Sequence, residues 1–144
     1  MLMITVYCDN NGFRKGLNSL PNVKVLTFPY ENYNRKIKNN GLPSEAQIDD
    51  LGNFTWDTLP ATFGDYKRSD KYEEIEKIVG TENRLDALHL DSAYKSGCEC
   101  FFTCDKTDIG SKRVALFNLL GLRIYHPDED WEAFLAFVNH RSSI

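Results

Sequence analysis

Residues 3–8, Met-Ile-Thr-Val-Tyr-Cys, form an almost unbroken apolar, β-forming run that stops at Asp9. A strand with one wet face alternates polar and apolar residues, whereas an unbroken run suits a strand covered on both faces. Strands of that kind pair in parallel and need long crossovers between them. Further apolar runs stand at 23–28, 98–103 and 122–126, and stretches with helical spacing fill the intervals. Residues 11–20 read as a short helix ended by Pro21. Residues 70–79 put Tyr72, Ile75 and Val79 at core spacing and stop at Gly80. Residues 84–95 carry Leu85, Leu88 and Ser92 on one face and Leu90, Ala93 and Tyr94 on another, with Gly97 beyond the end. Helices at 112–120 and 131–140 complete the set, the last one preceded by Pro-Asp-Glu-Asp. Strands alternating with helices predict an α/β fold, a three-layer α/β/α sandwich on a central, mainly parallel sheet. The 144 residues suit one domain spanning 1–144. Residues 31–71 carry little pattern beyond a short helix at 44–51 and a loop around Trp56.

In an open parallel sheet, ligands bind where the strands end and the connections emerge. Asp9 follows the first strand directly, with Asn10 and Asn11 after it. Asp105 follows the third strand, with Asp108 one turn further on. Asp86 opens the helix that leads into that third strand. Each aspartate alone reads as a turn or capping residue. Asp9, Asp86 and Asp105 directed to one rim, without a run of Lys or Arg beside them, repel one another and call for a cation. Hard carboxylate oxygens suit Mg²⁺ or Mn²⁺, which could activate water for phosphodiester hydrolysis.

Charge narrows the partner. Seventeen Lys and Arg against 21 Asp and Glu leave a formal net charge of −4. That surface does not grip duplexes by bulk charge, so any nucleic acid it holds would be short, single-stranded or looped and met through metal. Arg14, Lys15, Lys106 and Lys112 follow the aspartates where a phosphate backbone would run. His126 ends the last strand on the same edge, a place for a substrate contact, whereas His89 reads as a core residue. So do Trp131 and Tyr125. The four cysteines, Cys8, Cys98, Cys100 and Cys104, read as small core residues of a reducing cytoplasm, since three of them crowd one strand and its end. No stretch approaches the roughly 20 apolar residues of a membrane span, and there is no basic leader.

These residues resemble the PIN domain, the PilT N-terminus nuclease fold. VYCDNNGF is similar to that family's opening strand, which ends in an aspartate and a small polar residue. LDALHLDSAYKSGCECFFTCDKTDI is similar to its aspartate, helix, glycine and apolar strand, closed by Thr-x-Asp/Asn-x-x-Asp. GLRIYHPDEDWEAFL is similar to its last strand and Pro-led terminal helix. The resemblance covers the first dozen residues and most of the chain after Leu85. It implies a metal-dependent endoribonuclease holding Mg²⁺ or Mn²⁺, often the toxin of a toxin–antitoxin pair and commonly a homodimer. Asp9, Asp86 and Asp105 would then be catalytic metal ligands, and Asp108 a ligand or water-binder. Thr103 would orient the site, Asn10 would contact metal-bound water, and Lys106 would meet substrate. The family supplies one more acid after the second strand. Glu31 fits the element order and is preferred, while Glu45 fits the helix-start chemistry behind Ser44; Asp49, Asp57 and Asp65 stay open. A chain without that middle acid would instead be an inactive PIN-like module binding RNA or protein. A phospho-acceptor receiver domain also gathers strand-end aspartates, but it needs an acid pair after the first strand and a Lys near the last.

Overall fold

The computed structural model describes residues 3–9, 12–28, 39–44 and 67–142. Its strands are β1 (Ile4–Cys8), β2 (Val23–Thr27), β3 (Asn39–Asn40), β4 (Cys100–Phe102) and β5 (Arg123–Tyr125). Its α-helices are α1 (Tyr72–Val79), α2 (Arg84–Lys95), α3 (Arg113–Leu120) and α4 (Trp131–Ser142). All the strands join one parallel sheet in the order β3-β2-β1-β4-β5. β1 therefore lies in the middle, and four of its five residues are buried, as its unbroken apolar run requires.

The two faces of the sheet follow the period-2 alternation of the strands. Tyr7, Leu26, Phe101 and Ile124 share a core with α1, α2 and α3 through residues such as Ile75, Leu88 and Leu116. Val6, Cys8, Cys100 and Phe102 share another with Phe134 and Val138 of α4 and with Leu17. Tyr7 and Phe101 stack at 5.5 Å across β1 and β4, and Phe102 meets Phe134 edge-on at 4.8 Å. Parallel pairing of β1 with β4, Cys8 opposite Phe102, brings the ends of both strands to one edge. Among the described residues no helix is long and apolar enough to cross a membrane.

Several expectations shift. The helix expected at 11–20 is a 3-10 turn, Lys15–Ser19, because Gly, Asn and Ser favour helix weakly and no side chain caps it. That turn leans on α4: Arg14 lies over the Trp131 ring at 4.4 Å and donates to the Pro127 carbonyl at 2.9 Å. Leu85, placed on one face with Leu88 and Ser92, is 40% exposed while those two are buried, since the first turn of α2 precedes the part that enters the interior. From Ala87 to Ala93 every residue of that helix is buried. β3 was not expected, because two asparagines carry no strand signal; it pairs with the end of β2. Cys8, Cys98 and Cys100 are buried free thiols, while Cys104 lies past the strand end and is exposed. Residues 45–51 of the expected short helix and Trp56 lie outside the described residues.

Candidate metal centre

Asp9 continues the β1 ladder by one residue, donating its backbone N–H to the Phe102 carbonyl at 3.2 Å. The chain then turns on Gly12, whose N–H reaches back to the Asp9 carbonyl at 3.2 Å. A Cβ on Gly12 would lie 2.0 Å from the Phe102 carbonyl oxygen and 2.9 Å from Asp9 Oδ1, so no other residue fits there without displacing the turn.

On the neighbouring strand, Thr103 is 2% exposed. Its hydroxyl donates to Asp9 Oδ2 at 2.5 Å and accepts the Asp105 N–H at 3.1 Å. One buried oxygen thus ties the acid after β1 to the acid after β4. Asp105 Oδ1 accepts the N–H groups of Thr107 and Asp108 at 2.9 and 2.8 Å, an Asx-type turn that carries Asp108 back toward Asp105.

Asp86, in the first turn of α2, meets this turn from the other side. Carboxylate oxygens of Asp86, Asp105 and Asp108 lie within 4.8 Å of one another. The Asp86 carboxyl is pushed up from 3.8 to about 6, first by burial, then by the charges of Asp105 and Asp9, with His89 pulling it down and Asp108 adding to the rise. Crowded, half-buried carboxylates of this kind are held apart in energy until a cation offsets them. Oxygen-only donors favour a hard divalent ion, and a centre of this openness leaves room for waters on it.

Of the residues singled out from sequence, Asp86, Asp105 and Asp108 form the close trio. Asp9 stands outside it, joined through Thr103 and acting on Asp86 by charge. Lys106 points away: its Nζ donates to Glu129 Oε1 at 2.9 Å, across to the loop between β5 and α4. Asn10, Glu31, Glu45, Asp49, Asp57 and Asp65 lie outside the described residues. His89 is 2% exposed and its Nδ1 meets the Tyr7 hydroxyl at 3.0 Å, a core histidine as expected.

Sequence reasoning missed two sets of groups. Asp91, 0% exposed, accepts from Ser44 Oγ at 2.6 Å, from the Ser69 N–H at 3.0 Å, and from Ser69 Oγ. An acid inside the apolar run LHLDSA was the available signal. Arg113 and Glu129 join Lys106 and His126 around a cleft of about 190 Å³ beside Asp105, and Asp130 pairs with Arg113. The chain reversal after β5 brings Glu129 and Asp130 there, and spacing gave no sign of those two. No family model, curated protein or solved structure matches the chain.

Proposed function

We propose that the chain is a Mg²⁺- or Mn²⁺-dependent endoribonuclease built as a three-layer, PIN-like α/β/α sandwich. The observation that carries this reading is the meeting of Asp86 with Asp105 and Asp108, from segments separated by a helix and a strand. The Asp9–Thr103–Asp105 link supports it, because it ties one further strand end, that of β1, to the rim that Asp105 occupies. When bound, the cation supplies the positive charge that eases attack of water on a phosphodiester. Asp86, Asp105 and Asp108 present the oxygens that would hold it. Thr103 keeps the Asp9 carboxylate facing the same rim by donating its only hydroxyl proton there. Oligomerisation and an antitoxin partner belong to the same reading and rest on the sequence resemblance alone.

Cleavage of a mixed structured RNA in Mn²⁺ by the wild-type chain and by Asp86→Asn tests the reading. Activity in the wild type alone, abolished by chelation, supports it. Equal activity in both proteins, or no activity together with no Mn²⁺ binding, removes it.

A further inference from the structure

The cleft beside Asp105 brings two cations, Lys106 and Arg113, up to the edge of the acidic trio, with Asp105 and Glu129 also in its lining. Its floor is Ile124 and Tyr125 of β5, and its rim carries Lys106, Arg113 and His126. At about 190 Å³ it is smaller than the roughly 300–1,000 Å³ of a site enclosing a whole small molecule. It suits one phosphate and its sugar.

The two cations are held by two carboxylates of unequal standing. Arg113 Nη2 lies 3.3 Å from Asp130 Oδ2, and that same oxygen accepts the His126 backbone N–H at 2.7 Å. Asp130 is therefore built into the loop. Glu129 is not: its side chain is 57% exposed and its carboxylate is held by Lys106, itself 59% exposed. An exposed pair of this kind contributes little, so Lys106 exchanges partners at small cost. His126 Nδ1 accepts the N–H groups of Asp128 and Glu129, both at 3.1 Å, which assigns the ring proton to Nε2 as a further donor.

We propose that this cleft is a phosphate subsite for the nucleotide next to the cleaved bond of a single-stranded RNA, bound by Lys106 and Arg113. Glu129 occupies Lys106 until the strand's phosphate replaces it. Which bond is cut rests on the ribonuclease reading; binding of the phosphate does not. The cleft shares Thr103 and Asp105 with the metal centre, so a strand seated here reaches the edge of the trio at Asp105. Arg is the better anchor because its fork pairs two phosphate oxygens, whereas Lys acts as a point charge. The surrounding −4 balance keeps the interaction local to this cleft.

The test measures fluorescence anisotropy of a labelled single-stranded RNA of about eight nucleotides, in EDTA and low salt. It compares the wild-type chain with Arg113→Gln, Lys106→Gln, Glu129→Gln and Asp86→Asn, and Mn²⁺ affinity is measured for each separately. Arg113→Gln and Lys106→Gln should each weaken RNA binding about tenfold and lower the salt slope by about 0.7. Glu129→Gln should tighten it about threefold, because it releases Lys106. Mn²⁺ affinity should stay unchanged in these three variants. Absence of RNA binding, equal affinity across the three, or weaker binding by Glu129→Gln overturns the subsite. Failure of the ribonuclease reading shows elsewhere, in Mn²⁺ binding and cleavage lost from the wild type while the three RNA affinities keep this pattern.

Discussion

The Thr103 hydroxyl donates to Asp9 Oδ2 at 2.5 Å while the same oxygen accepts the Asp105 N–H. A threonine just past β4 thereby sets the position of an acid just past β1. The sheet alone could not do this, since parallel pairing fixes the strands but leaves the side chains at their ends free to rotate. The acidic rim is a property of this link as much as of the aspartates themselves.

Thr103→Val keeps the shape and removes the hydroxyl. The Asp9 carboxylate loses a donor and the Asp105 N–H loses its acceptor in a buried setting, which costs about 1–3 kcal/mol. An orienting group behind a metal ligand is worth about 10–100-fold in metal affinity. Calorimetric titration with Mn²⁺ should show that loss in Thr103→Val and near-complete recovery in Thr103→Ser. Equal Mn²⁺ affinity in all three proteins would show that Thr103 only packs.

Asp86 makes the pH dependence specific. Its carboxyl titrates at about 6 in the folded chain against about 3.9 when unfolded. Between those values the unfolded state has already released the proton that the folded state keeps. Stability therefore falls as pH rises through that window and stays lower above it. The shift corresponds to at most about 3 kcal/mol, and solvent screening at a half-exposed group reduces that to about 1 kcal/mol. Asp86→Asn without metal should melt higher than wild type above pH ~6.5 and equally at pH ~4. Mn²⁺ should raise the wild-type melting temperature more at pH ~7.5 than at pH ~5, where protons compete for the ligands. A Mn²⁺ effect that does not change with pH would contradict this account.

Gly12 is the steric condition for the rim. A methyl group there meets the Phe102 carbonyl oxygen at 2.0 Å, and the obstacle is backbone, which cannot rotate aside. Gly12→Ala should push the 9–12 turn off β4, cost about 2–4 kcal/mol and break the Asp9–Thr103 contact. Amide exchange should rise first at Asp9 and at residue 12, whose N–H groups bond to the Phe102 and Asp9 carbonyls. Unchanged protection at both would mean that the turn has room to absorb the methyl group.

The extent to which the sequence discloses all this depends on where each constraint lives. Ile4–Cys8 is legible because double-sided burial writes itself as an unbroken apolar run. Asp9, Asp105 and Asp108 are legible because strand ends in a parallel sheet share an edge. Asp86 is legible only in company with Asp9 and Asp105, since a first-turn aspartate by itself reads as a dipole partner. Leu85 deceives because helical spacing does not say where along a helix the core begins. β3 and the Glu129–Lys106 pair were not legible at all. The first has only asparagines to announce it, and the second joins residues on two different connections.

Asp91 separates folding from the metal centre. It sits on α2 five positions after Asp86, fully buried, and its carboxylate holds the chain at Ser44 and again at Ser69. Leu42 and Pro43 are tied to the same helix, through Ser96 Oγ at 2.7 Å and through Lys95. Asp91→Ala would remove the carboxylate to which two hydroxyls and a backbone N–H donate, and removal of one partner from a buried polar network costs about 3–5 kcal/mol. For a domain of this size the melting temperature should fall by roughly 10 °C or more. Asp91→Asn keeps one acceptor oxygen and should recover part of that loss. Since Asp91 lies outside the trio, any Asp91 variant that still folds should bind Mn²⁺ as the wild type does. A large loss of Mn²⁺ affinity in folded Asp91→Asn, with little change in melting, would mean that this acid belongs to the site and not to the scaffold.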